Sequence, residues 1–377
     1  MSVFTKSVFT KSVFTKYLIR FVAVGMSSFH IYTAYFGTFY PYTQRSFPVM
    51  LALVLTFLTV RARKDAPDDA PVPIYDWALV ALTIPVIGYV TFNSDYLANR
   101  WPMTSTFPVT DLEILFGTIA ALLILEATRR LLGWLLVIVA VVALIYTYWG
   151  EHLPFLSLKH RVYTFEHMLD YMYLTDNGIW GIALGVAATY IVLFIIFGAF
   201  AEKAGVAEFF IDFSNSIAGH TMGGPAKVAI FSSALIGSVT GSTVANVYTT
   251  GQFTIPMMKR DGFSAEKAGA VEVASSVNGQ IMPPVMGAAA FLMVEYVGIS
   301  YVEVIKHAFL PALISYIALV YIVHLEAVKA GMKGLQSSNP PRPLLSKVLG
   351  FMTGLILLMA LSFAVYYGLG WLKPLLG

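Results

Sequence analysis

Residues 228–258 read VAIFSSALIGSVTGSTVANVYTTGQFTIPMM, 31 residues without a charge, bounded by Lys227 on one side and Lys259 and Arg260 on the other. As a single helix rising 1.5 Å per residue this stretch would be about 46 Å long. The hydrocarbon core of a bilayer is only about 30 Å thick. Its centre is also wrong for lipid, because Gly237, Ser238, Thr240, Gly241, Ser242, Thr243, Asn246, Thr249, Thr250, Gly251 and Gln252 crowd together there. Unwound polar backbone persists at membrane depth only where it lines a cavity or is buried in protein. With basic residues at both ends, the expectation is a re-entrant hairpin that enters from the cytoplasm, breaks around residues 241–245 and returns.

A second break is expected thirty residues on, where 278–287 read NGQIMPPVMG inside the next apolar run. Pro283 and Pro284 remove two backbone donors and clash with a continuing helix. Gly279, and the residue before each proline, favour non-helical geometry.

The rest of the chain agrees with a lipid solvent. Of 377 residues, 58% are hydrophobic and 12% charged, about half the roughly 25% charge of a soluble domain. Mean hydropathy is +0.73. The 24 basic and 21 acidic side chains leave a net charge of +3, with no basic face to neutralise phosphates, so nucleic-acid binding is excluded. Without cysteine there are no disulfides, thiolate metal sites or thiol nucleophiles. Apolar runs at 21–39, 47–60, 77–92, 113–125, 131–149, 178–200, 273–294, 308–323 and 348–372 are expected to cross the bilayer. The fold class is therefore an all-α polytopic membrane protein, with about nine transmembrane helices, a re-entrant helical hairpin and a broken helix. Lys6, Lys11, Lys16 and Arg20, then Arg61, Arg63 and Lys64, then Arg129 and Arg130, Lys227, Lys259 and Arg260, and Lys329, Lys333, Arg342 and Lys347 all fall on the cytoplasmic side. This holds if residues 228–258 do not cross, and it leaves the N-terminus in the cytoplasm.

The two breaks together suggest a ligand site. Neutral hydroxyl, amide and main-chain oxygens suit a small hard cation that must be released again, and half-helix amino ends attract an anion. The competing reading is helix–helix packing, since Ser, Thr and Gly let membrane helices approach closely. Two breaks within some forty residues, in a topology that demands re-entry, favour the site.

The runs GGPAKVA at 223–229, GSVTGSTVAN at 237–246, TTGQFTIPMMKR at 249–260 and AGAVEVASSVNGQIMPPVMGAAA at 268–290 closely resemble the large membrane subunit of tripartite ATP-independent periplasmic (TRAP) transporters. The type resembled is the fused small-plus-large permease that works with TAXI-class binding proteins. Weaker similarity reaches IYTAYFG at 31–37 with Gln44 and Arg45, which look like the start of the fused small-subunit region. The resemblance implies sodium-driven import of an organic anion of the carboxylate class, delivered by a TAXI-type periplasmic substrate-binding protein through an elevator-like motion in the bacterial inner membrane. By carry-over, the sodium ligands would be Ser242 and Asn246 from the hairpin and main-chain carbonyls of Gly279, Met282 and Pro284 from the broken helix. The substrate would lie beside Thr240, Thr243 and Asn278, and sodium would be the coupling ion with no other cofactor. Residues 207–217, with Phe209, Phe210, Phe213 and Ile217 on one stripe, resemble an interfacial arm helix that rests on membrane lipid. The family carries two inverted repeats, whereas one hairpin and one broken helix are apparent here. The expectation is half of an inverted-repeat fold, incomplete alone, with the second repeat absent or on a separate polypeptide.

The organisation expected from this reading is a repetitive arm at 1–16, in which SVFTK occurs three times, and a four-helix small-subunit-like scaffold at 17–130. Large-subunit scaffold helices with the arm helix follow at 131–222, then the transport region at 223–335. A linker and terminal span occupy 336–377. Solvated linkers are expected at 65–73 and 337–343. Among acidic candidates, Glu272 reads as an interfacial partner of Lys267 or Lys259, although an intramembrane carboxylate is a functional candidate by default. His324 with Glu326 reads as an interface anchor. No catalytic constellation, nucleotide loop or histidine metal spacing is present, so an enzyme is not expected. The alternative to a transporter is a non-transporting intramembrane scaffold or assembly subunit.

Overall fold

The computed structural model of the chain describes residues 13–62, 72–100, 108–152 and 163–332, together with 349 and 353. Among these residues regular structure is entirely helical. The protein is an all-α polytopic membrane protein. Most of the expected linker at 65–73, all of that at 337–343, most of the repetitive arm and most of the run at 348–372 lie outside the described residues.

The first half of the chain forms α1 (Val13–Phe36), α2 (Pro41–Thr59), α3 (Ile74–Phe92), the short α4 (Ser94–Asn99), α5 (Asp111–Leu132) and α6 (Trp134–Trp149). The short α7 (Phe165–Leu169) follows. A further rod runs through α8 (Ile182–Val186), a π-helical turn at Ala187–Ile191 and α9 (Val192–Lys203). The second half contains α10 (Val206–Ala218), α11 (Gly224–Thr240), α12 (Thr243–Arg260), α13 (Ala265–Asn278), α14 (Ala288–Val297) and α15 (Tyr301–Lys329). Two compact units emerge, one from Met1–Ile196 with Glu295–Gly298, the other from Phe197–Val294 with Ile299–Gly377.

Local sequence explains where these rods begin and end. Thr110 and Glu113 form a reciprocal capping box at the start of α5, the Glu113 amide donating to Thr110 Oγ1 at 3.3 Å and the Thr110 amide to Glu113 Oε2 at 2.9 Å. Ser264 and Ser300 cap α13 and α15 more simply, their hydroxyls accepting from the Lys267 and Glu303 amides. Among the described residues four helices, Ile74–Phe92, Trp134–His152, Ile182–Lys203 and Tyr301–Lys329, are long and apolar enough to cross a membrane. In α6 only Val137 is buried, while Leu135, Val139 and Val142 are open. Such a surface needs lipid to cover it.

The first unit is held at one end by charge buried among apolar side chains. Arg130 pairs with Asp76 at 2.6 Å and with Glu126 at 2.7 Å, donates to the Val60 carbonyl at 3.0 Å, and lies over the Phe57 ring. Arg129 reaches the Ala62 carbonyl at 3.3 Å. The basic end of α5 and the connection after α2 thus meet, as the alternation of positive charge requires. Arg100 and Asp170 form a second buried pair.

Candidate functional site

In the second unit, the 31-residue run is two helices, because Gly241 at φ +59° ends α11 and Ser242 opens α12. A left-handed residue is inexpensive only for glycine. Seventeen and eighteen residues give arms of about 26–27 Å each. The arms pack along each other, so Ala226 near the start of one and Met258 near the end of the other share a core with Phe263, Ala268 and Val323. Lys227 and Lys259 consequently sit at the same end of the hairpin. Beyond it, Asp261 in the next turn is pushed above the usual carboxylate range by burial.

The second break also falls where the prolines place it. The helix α13 stops at Asn278, a single 3₁₀ turn covers Gly279–Ile281, and α14 resumes at Ala288. The chain between carries a cis Pro283–Pro284 bond and Met286 at φ +59°.

The two breaks touch. The Val285 amide donates to the Ser238 carbonyl at 3.1 Å, and the Gln280 side chain donates to Thr243 Oγ1 at 2.8 Å. A Cβ built on Gly241 would lie 1.7 Å from the Met286 carbonyl oxygen. Tyr301 of α15 donates to the Pro284 carbonyl at 2.9 Å and also lies against that of Val285. Four helix ends therefore converge. The carboxyl ends of α11 and of the 3₁₀ turn present carbonyls, while the amino ends of α12 and α14 present amides. Partial charges of both signs meet in one place.

One layer in, α11 crosses the break at contact distance. A Cβ on Gly237 would fall 2.5 Å from Gly279 Cα, and one on Gly279 would fall 3.0 Å from both Gly237 Cα and Asn246 Nδ2. A side chain at Gly237 would force the two backbones apart, and one at Gly279 would be tight. Asn246 is fully buried, its Nδ2 donating to the Ser233 carbonyl at 2.8 Å, and its Oδ1 is buried with no hydrogen-bond partner. A buried amide oxygen left without a donor is a group that a cation can satisfy.

The sequence-derived residues divide accordingly. Asn246 and Gly279 are brought together at this crossing. Ser242 is exposed, and its hydroxyl caps α12 by accepting from the Ala245 amide at 3.3 Å. Met282 is half-buried, and the Pro284 carbonyl accepts from Tyr301. Thr240 donates to its own helix, to the Ile236 carbonyl at 3.1 Å, and Thr243 accepts from Gln280. Asn278 is half-buried at the end of α13.

One expectation is corrected. Glu272 does not pair with Lys267 or Lys259; it is fully buried and accepts from the hydroxyls of Thr250, Thr254 and Ser276, while Lys267 pairs with Glu326. The reason is rotational: positions 272 and 267 lie on different faces of α13, one toward α12 and one outward. His324, read as an interface anchor, lies 3.3 Å from the Lys227 ammonium. Sequence reading also passed over Ser233 and Tyr301, which no local pattern marks, and over Thr254 and Ser276. Thr250 with Thr254, and Glu272 with Ser276, are each four apart on one helical face, the signal that could have found them.

Comparisons with known proteins identify the family. The family model described as "Tripartite ATP-independent periplasmic transporter, DctM component" matches residues 119–374, more than half of the chain. The chain is 33% identical over 91 residues to the C4-dicarboxylate TRAP transporter large permease protein DctM of Pseudomonas aeruginosa, covering 24% of this chain and 21% of that one. It is 26% identical over 146 residues to the sialic acid TRAP transporter large permease protein SiaM of Vibrio cholerae, covering 39% and 34%. It is also 26% identical over 138 residues to the sialic acid TRAP transporter permease protein SiaT of Haemophilus influenzae, covering 37% and 22%. The chain thus spans about a third or less of the length of these relatives.

Proposed function

The chain belongs to the DctM component family of tripartite ATP-independent periplasmic transporters, and from that membership we propose that it forms the membrane permease part of a sodium-coupled symporter for an organic anion. The anion is of the carboxylate class, as the names of the C4-dicarboxylate and sialic acid relatives suggest. A periplasmic substrate-binding protein of the TAXI type delivers it to the inner membrane, and the hairpin and broken helix move together in an elevator-like step.

The observation that carries the reading is the crossing at Gly237, Asn246 and Gly279, where the buried Asn246 amide meets the break through its Nδ2 and keeps an Oδ1 with no hydrogen-bond partner. Sodium would take Asn246 Oδ1 and main-chain oxygens from 279–284, with Ser242 completing the set from the hairpin tip. Neutral oxygens bind a monovalent ion firmly enough to couple and loosely enough to release it. The anion would lie at the amino ends of α12 and α14, beside Thr240, Thr243 and Asn278, where the amides point.

The test is thermal unfolding of the purified chain in lipid nanodiscs, with sodium chloride replaced by choline chloride. A ligand that binds the folded state at about a hundred times its Kd stabilises by about 2.7 kcal/mol. The rise in Tm with sodium should shrink in Asn246→Ala and remain in Thr83→Ala, whose buried hydroxyl bonds only its own helix. Equal responses in all three proteins would refute the site.

A further inference from the structure

Between α11 and α15 runs a groove of about 410 Å³, formed wholly by residues of the second unit. Leu313, Ile317 and Val320 line it from α15, and Phe231 faces them from α11. With His324 the α15 positions follow one another at intervals of four, three and four residues, which makes a single stripe along the helix. The floor is fixed by packing. Tyr316 is buried, donates to the Ser275 carbonyl at 3.0 Å, and shares a core with Ala226, Ile230 and Val323. The mouth is open, with Ile317 59% and Tyr321 61% exposed.

The groove has the depth of one leaflet. Residues 308–323 of α15 are free of charge and end at His324. Leu313 lies near the middle of that run. From Leu313 to His324 the helix advances about 16 Å, roughly half of the about 30 Å hydrocarbon core. The apolar part of the groove therefore reaches from the bilayer centre to its edge, and Lys227 and His324 stand together at the edge.

Charge says what belongs there. The Lys227 ammonium is half-buried and has three donors. It gives one to Thr221 Oγ1 at 3.2 Å and lies 3.3 Å from His324 Nδ1, both uncharged acceptors. An accepting Nδ1 leaves the ring proton of His324 on Nε2, a further donor at the same end. Among the described residues no carboxylate pairs with Lys227: Glu326 is held by Lys267, and Asp261 Oδ2 is buried without a partner. Residues 327–377, which follow α15, contain no aspartate or glutamate at all. The missing negative charge is one that the bilayer supplies, since a phosphate beside a lysine at the membrane edge is both ion-paired and within reach of the groove.

We propose that this groove binds one anionic phospholipid, with its phosphate at Lys227 and His324 and an acyl chain laid along Ile317 and Leu313 beside Phe231. The lipid would fasten the base of the hairpin to α15. The site neither requires nor excludes sodium at the Asn246–Gly279 crossing.

Native mass spectrometry of the full chain in mild detergent, titrated with phosphatidylglycerol and with phosphatidylcholine, counts the lipids retained. One phosphatidylglycerol should bind at least about fivefold more tightly than phosphatidylcholine. Lys227→Met should abolish most of that preference, whereas Ile317→Trp, which fills the groove and leaves its charge alone, should weaken both lipids. Lys259→Ala removes an exposed basic group at the same end of the hairpin and should leave the preference intact. If Lys227→Met fails to fold, His324→Leu and Ile317→Trp carry the test. Photo-reactive benzoylphenylalanine in place of Ile317 identifies the occupant directly, and irradiation in phosphatidylglycerol nanodiscs should add the mass of one phospholipid. A preference that survives Lys227→Met overturns the site. An equal loss in Lys259→Ala also overturns it, because the attraction would then be a diffuse surface field. Cross-linking from position 317 to residues 348–372 of the same chain would refute it too, by showing that a helix fills the groove.

Discussion

Gly241→Ala isolates the contact on which the hairpin tip depends. At φ +59° an alanine costs about 1–2 kcal/mol relative to the right-handed region. The larger obstacle is steric. The new Cβ would stand 1.7 Å from the Met286 carbonyl oxygen, where ordinary contact begins near 3.4 Å, and the obstructing atom is backbone rather than the end of a flexible side chain. The tip must therefore withdraw by about 1.7 Å, enough to lose the 3.1 Å bond from the Val285 amide to Ser238, itself worth about 1 kcal/mol. Together these effects put the destabilisation at about 2–4 kcal/mol. Gly241→Asn separates the two causes: asparagine tolerates the left-handed region but carries the same Cβ, so it should not restore stability. Gly269→Ala is the control, because that helical glycine has nothing within 4 Å of a built Cβ and should gain about 0.5–1 kcal/mol. Unfolding by heat or by dodecyl sulfate in mixed micelles measures all three. A Gly241→Ala protein within about 0.5 kcal/mol of the parent, or full rescue by asparagine, would refute the claim that the tip is seated against the broken helix.

Two further outcomes follow from the ion pairs. Arg130→Met should destabilise the first unit by about 3–5 kcal/mol, because Asp76 is left buried without its partner. Adding Asp76→Asn should recover much of that loss, and a single variant as stable as the parent in dodecyl sulfate unfolding would contradict the pairing. Lys267→Ala breaks an exposed pair with Glu326 and should cost less than about 1 kcal/mol, with the difference disappearing as ionic strength rises.

What the sequence disclosed, and what it withheld, follows from the solvent. In lipid every backbone donor and acceptor must be answered within the protein. A glycine–hydroxyl stretch or a proline pair inside an apolar run is therefore conspicuous, and both interruptions appear where residues 241–242 and 278–287 place them. The same requirement does not say which group supplies the answer. The resemblance names Ser242 as an ion ligand, and the structure adds that its hydroxyl caps the start of α12. The freed amide of Val285 finds Ser238, and the freed carbonyl of Pro284 finds Tyr301 from a helix after the break. The Gly237–Gly279 crossing was hidden for a related reason, since small residues are common wherever membrane helices touch and only the fold shows which two meet. Glu272 was misread because charge pairing was judged by nearness along the chain, where Lys267 is five residues away. On the helix those five residues turn one side chain toward the hairpin and the other toward Glu326. The carboxyl group that looked like the partner of an interfacial lysine is thereby enclosed and hydrogen-bonded by hydroxyls from α12 and its own helix.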